Sequence, residues 1–175
     1  MSQMQFYYPR GIAVDNSFDS PYFGRVYITE ATGGAAGTAR TTKDGVYILN
    51  SSLEDITSQG ANAYTGNITW STSGSPMRVF VGPDGTVYVN DWSDAHPGIW
   101  MMNPATPQNT FNPIFSSALT KAGSGLSSNN GVNAHGSIAH CYVTGTGADR
   151  KLFTFDEDYI DATATSAGNL LQYNI

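Results

Sequence analysis

Apolar and polar residues alternate in short runs along most of this chain, and the runs return in a fixed order. One run, Arg25-Val-Tyr-Ile-Thr-Glu30, recurs as Thr86-Val-Tyr-Val-Asn-Asp91 and as Lys151-Leu-Phe-Thr-Phe-Asp156. Each copy ends in a carboxylate, and the repeat distance is roughly sixty residues. Alternation with period two, carried by Val, Ile, Tyr and Phe, predicts β-strands. A second run follows each time: Gly45-Val-Tyr-Ile-Leu-Asn50, Gly98-Ile-Trp-Met-Met-Asn103 and Asn169-Leu-Leu-Gln-Tyr-Asn174. A third precedes each: Gly11-Ile-Ala-Val-Asp15, Arg78-Val-Phe-Val-Gly82 and Ile138-Ala-His-Cys-Tyr-Val143. The chain therefore predicts a leading, a middle and a trailing strand, three times over. Weaker fourth strands fit near 54–58 and 110–115. Pro83-Asp84-Gly85 is a tight-turn signal between leading and middle strands, Gly145-Thr-Gly-Ala-Asp149 is another, and 16–24 is a longer version containing Pro21. Stretches 32–41 and 122–133 read as surface loops, and no segment carries a helical period.

A strand set that returns in order has a specific architectural meaning. One set cannot bury both of its faces, so neighbouring sets must pack on one another. The prediction is an all-β fold of about three four-stranded antiparallel β-propeller blades, at 9–60, 76–117 and 135–175, in one segment covering 1–175. A β-sandwich also uses many short strands, but it gives no reason for the same triplet to recur.

The leading and middle strands carry a family resemblance. Pro9-Arg-Gly-Ile-Ala-Val-Asp15 and Val81-Gly-Pro-Asp-Gly-Thr-Val-Tyr-Val-Asn-Asp91 resemble the blade motifs of the NHL and SMP-30/gluconolactonase-like propellers. The resemblance runs from Pro9 to Asn174 in three copies. It implies a normally six-bladed ring, of which this chain supplies half. The third set lacks an outer strand, while 3–8, with Gln3, Gln5, Phe6, Tyr7 and Tyr8, has the aromatic character of one. The expectation is that 3–8 completes the third blade of another copy and closes the ring as a homodimer. The alternatives are a piece of a longer chain and a designed or excised propeller fragment.

Composition narrows the partners. Hydrophobic residues make up 40% of the 175, but charged residues only 13%, about half the usual share. The net charge is −6 and the eight basic residues are scattered, which excludes nucleic-acid binding driven by phosphate neutralisation. No apolar run is long enough to span a bilayer. The first residues show no basic-then-apolar signal peptide. One cysteine, Cys141, excludes an intramolecular disulfide. Low charge with Ser/Thr/Asn-rich loops suits a secreted or cell-envelope parent.

The candidate chemistry lies where the middle strands end. Glu30, Asp91 and Asp156 close those strands, and Asn90, Asp94, His96 and Asp158 stand beside them. His135 enters from the loop ahead of the third leading strand. Carboxylates with an amide and imidazoles are ligands for Ca2+ or another divalent cation. In the lactonase-like relatives such an ion, held by Glu, Asn and Asp, polarises a lactone carbonyl, and Glu30 aligns with one such ligand. Against this, a carboxylate at a strand end ordinarily caps a turn by accepting backbone N–H bonds. His135 and His140 project to different faces of an extended strand, as do His140 and Cys141, so neither pair predicts a shared centre. Gly33-Gly-Ala-Ala-Gly37 lacks the Lys-Ser/Thr of a phosphate loop. Tyr22, Phe23, Trp70, Trp92 and Trp100 read as packing residues before glycan-stacking ones. The leading expectation is a non-catalytic module that presents a rigid face to a partner, glycan or small polar ligand; the alternative is a cation-dependent lactonase-like hydrolase.

Overall fold

The computed structural model describes residues 4–36, 40–57, 63–70, 75–91, 98–114, 138–156 and 169–175. They form twelve strands: β1 (Pro9–Val14), β2 (Val26–Glu30), β3 (Ala35–Ala36), β4 (Arg40–Thr41), β5 (Gly45–Leu49), β6 (Arg78–Val81), β7 (Val87–Asp91), β8 (Gly98–Met102), β9 (Asn112–Pro113), β10 (Ile138–Thr144), β11 (Lys151–Asp156) and β12 (Asn169–Asn174). A 3-10 turn, Gly147–Asp149, precedes β11. No α-helix occurs among the described residues, and none there is long and apolar enough to cross a membrane.

Three antiparallel sheets account for the nine predicted strands. Sheet 1 has the order β1-β2-β5, sheet 2 the order β6-β7-β8-β9, and sheet 3 the order β10-β11-β12. The turns close as their residues dictate. Gly85 takes φ 78°, and Gly82 N donates to Thr86 O at 2.8 Å. Asp15, fully buried, ties the longer turn by accepting from Ser17 N at 3.1 Å and Ser20 Oγ at 2.5 Å.

Among the described residues only sheet 2 has a fourth strand, where β9 pairs with β8 through Trp100–Pro113 and Met101–Asn112. In sheet 1 the expected strand at 54–58 shrinks to one bridge, Leu49–Asp55. There Thr57 replaces a ladder with its side chain: its Oγ1 accepts from Ile48 N at 2.8 Å, and its own amide donates to Ile48 O. The stretch 32–41, read as a loop, contains the two-residue ribbon β3–β4. The stretch 122–133 lies outside the described residues.

Each middle strand has an aromatic face, with Tyr27, Tyr88 or Phe153, and an aliphatic face, with Val26, Val87 or Leu152. The aromatic face of sheet 1 (Tyr27, Val46, Ile48) packs on the aliphatic face of sheet 2 (Val79, Val87, Val89, Met102). The aromatic face of sheet 2 (Tyr88, Ile99) packs in turn on the aliphatic face of sheet 3 (Cys141, Val143, Leu152). Full burial of each such side chain contributes about 1.5–3 kcal/mol, so these two junctions are the main source of stability. The leading strands lie side by side, β1 against β6 and β6 against β10. Gly11 allows the first approach: a Cβ there would stand 2.9 Å from Arg78 Cα and 3.0 Å from Val79 N. At the turn end the sheets are tied by polar contacts. Arg25 Nη1 donates to Pro104 O at 3.1 Å, and Arg150 Nη1 donates to the Tyr88 hydroxyl at 3.3 Å and lies 3.7 Å from Asp84.

Residues 4–8 belong to sheet 1 of their own chain and form no strand. Phe6 meets Tyr47 edge-on at 5.3 Å, and Met4 and Phe6 pack on Val26, Ile28, Tyr47 and Leu49. Tyr8 O accepts from Ala31 N at 3.1 Å. Within the single chain, Met4 and Phe6 thus lie across the face of sheet 1, while Tyr7 and Tyr8 stay exposed. Gln3 lies outside the described residues.

Candidate functional site

The repeat register carries Glu30, Asp91 and Asp156 to equivalent ends of β2, β7 and β11. Glu30 and Asp91 are fully buried there. The backbone of Asp156 pairs with Ile138 and Asn169. Asp94, His96, His135 and Asp158 lie outside the described residues, as does Trp92.

The carboxylate of Glu30 is committed to its own chain. Oε2 accepts from Tyr7 N at 2.8 Å, Oε1 accepts from Tyr8 N, and the Thr42 side chain adds a further hydrogen bond. Burial still raises its pKa above the ordinary value; the two amides oppose that shift without cancelling it. Glu30 thus fastens residues 7–8 to the end of β2, the capping role that carboxylates at strand ends take. The same device appears one loop later, where Asp44 accepts from Gly33 N and burial raises its pKa too.

One residue before Glu30 and before Asp91, the chain links neighbouring sheets. Thr29 Oγ1 donates to Met77 O at 3.2 Å, joining sheets 1 and 2. Asn90 Oδ1 accepts from Cys141 Sγ at 3.3 Å, joining sheets 2 and 3. Burial pushes the Cys141 thiol up to about 12, so it is a neutral donor. His140 turns elsewhere, its ring edge-on to Phe80 at 6.1 Å, while its carbonyl accepts from Thr154 Oγ1 at 2.8 Å. His140 and Cys141 therefore form no thiol–imidazole pair, as their side chains leave β10 on opposite faces. Asn90 Nδ2 is buried without a hydrogen-bond partner among the described atoms. Among the described residues no three His, Cys, Asp or Glu side chains converge on a position that could hold a metal ion.

An open groove of about 470 Å³ runs along the leading strands, lined by Ile12, Val14, Phe80, Pro83, His140 and Tyr142 among others. Phe80 and Tyr142 stand 5.1 Å apart. Loss of water around the His140 ring, and next the charge of Arg78, lower its pKa, so it is neutral at pH 7. The groove mixes these apolar side chains with Asn16, Ser17 and one imidazole, and no carboxylate lines it among the described residues.

Of the aromatic residues weighed as glycan platforms, Trp70 is buried against Phe111 and Trp100 is partly buried on the same core. Tyr22 lies under the Arg25 guanidinium at 4.2 Å, and Phe23 stacks on Phe18. Sequence reasoning did not find the Asn90–Cys141 link, because the contact runs between two sheets and neither strand alone points to it. Nor did it find Gly11, whose requirement is set by another sheet. Compared with protein-family models, curated proteins and solved structures, the chain matches none of them.

Proposed function

We propose that this chain is a non-catalytic β-propeller module: consecutive blades stacked into a rigid scaffold whose surface serves binding or assembly. The reading is supported by one recurring arrangement. The aromatic face of each sheet packs on the aliphatic face of the next, twice in succession, with the leading strands adjacent. That is how blades of a propeller follow one another around an axis. A scaffold role fits the polar layer as well, since the Glu30 carboxylate, Asn90 Oδ1 and the Cys141 thiol tie segments together.

Thermal unfolding in Ca2+ and in chelator, with an assay of simple lactones, tests the reading. The module should show one cooperative β-type transition, indifferent to the ion, and no turnover. A melting temperature that rises with Ca2+ together with lactone hydrolysis would overturn it.

A further inference from the structure

The two end faces of the stack are complementary, and we infer that they are the docking surface for a second copy of this chain. This rests on the blade reading above and adds the partner and the residues that meet it. The basis is a comparison of equivalent positions. On the aliphatic face, Ile12 and Val14 of β1 correspond to Val79 and Val81 of β6 and to Cys141 and Val143 of β10. The latter four are buried by the preceding sheet, whereas Ile12 is 68% and Val14 47% exposed. On the aromatic face, Leu170 of β12 corresponds to Val46 and Ile99, and Phe155 to Thr29 and Asn90. Those four are fully buried, whereas Leu170 is 73% and Phe155 52% exposed. Tyr142, the counterpart of Phe80, is 56% exposed.

Among the described residues, sheet 1 therefore has no neighbouring sheet on its aliphatic side, and sheet 3 has none on its aromatic side. The chain already contains two junctions of the kind that would satisfy both. A second copy brings the matching face to each end: its Ile12 and Val14 to Tyr142, Phe155 and Leu170, and the reverse. Two equivalent head-to-tail junctions then close six sheets into a two-fold ring, with no exposed end face left for further growth. Met4 and Phe6 do not block the contact. They cover Val26 and Ile28 of β2 and Tyr47 and Leu49 of β5, and leave the β1 part of this face, Ile12 and Val14, open to the second copy. Packing across faces takes the place of an exchanged 3–8 strand.

Light scattering on the full chain should give twice the 18.7 kDa chain mass. Val14→Lys and Tyr142→Glu, each on an exposed end-face residue, should each give a monomer with an unchanged β-type circular dichroism spectrum. Mixing the two should restore a dimer, because the mixed pair has one native junction and one in which Lys faces Glu. A wild-type monomer with an intact, cooperative β spectrum overturns the second-copy inference and leaves the blade reading standing; it is also the result if the end faces are covered by further sequence. Open-ended oligomers, variants that still dimerise, or a mixture that stays monomeric likewise overturn it. A spectrum without cooperative β unfolding instead overturns the blade reading itself.

Discussion

Replacing Glu30 by Ala separates a structural carboxylate from a ligand. The change removes the acceptor for two backbone amides, Tyr7 N at 2.8 Å and Tyr8 N, and the partner of Thr42. A hydrogen bond to a charged group contributes about 1.5–3 kcal/mol net. Two of them set an upper figure that is reduced in two ways. Tyr7 and Tyr8 are themselves exposed, so water reaches their amides after truncation, and the variant no longer buries a charge. The expected net loss is about 2–3 kcal/mol. For a chain of this size each kcal/mol lowers the melting temperature by about 2–4 °C, so differential scanning calorimetry should find a drop of about 5–10 °C. The loss should be the same in Ca2+ and in chelator. The sign of the pH dependence follows from the raised pKa. The native state holds the Glu30 proton more tightly than the unfolded chain, so this group's contribution is fully present below the unfolded value and falls as pH rises through the native one. The gap between wild type and Glu30→Ala should accordingly widen on acidification. A loss below about 0.5 kcal/mol, within the range of an ordinary surface substitution, or a wild-type stability that depends on Ca2+, would refute the reasoning.

Three further outcomes follow from the junctions. Cys141 should resist a disulfide-exchange reagent at pH 8 in the folded chain and react at once in denaturant, since its thiol is buried and held near 12; its stabilising contribution should fade as alkali approaches that value, and Cys141→Ala should lack this loss. Gly11→Val should cost about 1–3 kcal/mol by thermal unfolding, because the new Cβ meets the backbone of β6 rather than a side chain that can move. Val89→Asp should abolish the cooperative transition in circular dichroism, as it puts an unpaired charge into the core between sheets 1 and 2.

What the sequence determined by itself was local and periodic. Alternation in Val-Tyr-Val and Val-Tyr-Ile placed β2, β5, β6, β7 and β8 within a residue or so, because period two is a property of the extended chain alone. Pro83-Asp84-Gly85 placed a turn for the same reason: its conformational demands are met within three residues. The recurrence of the triplet carried the order of the sheets. Tertiary structure decided everything that depends on a neighbour from another repeat. Glu30 reads identically as a metal ligand or a cap until the Tyr7 and Tyr8 amides are placed against it. Thr57 reads as strand until its hydroxyl takes the place of a ladder bond at Ile48. Residues 4–8 carry the composition of an outer strand, yet Phe6 goes to Tyr47, because an uncovered apolar face attracts the nearest apolar segment whatever its propensity. The exposure of Ile12 and Leu170, beside the burial of their counterparts, is of the same kind. Hydrophobicity is written in each residue, but whether it is satisfied depends on the sheet that stands opposite.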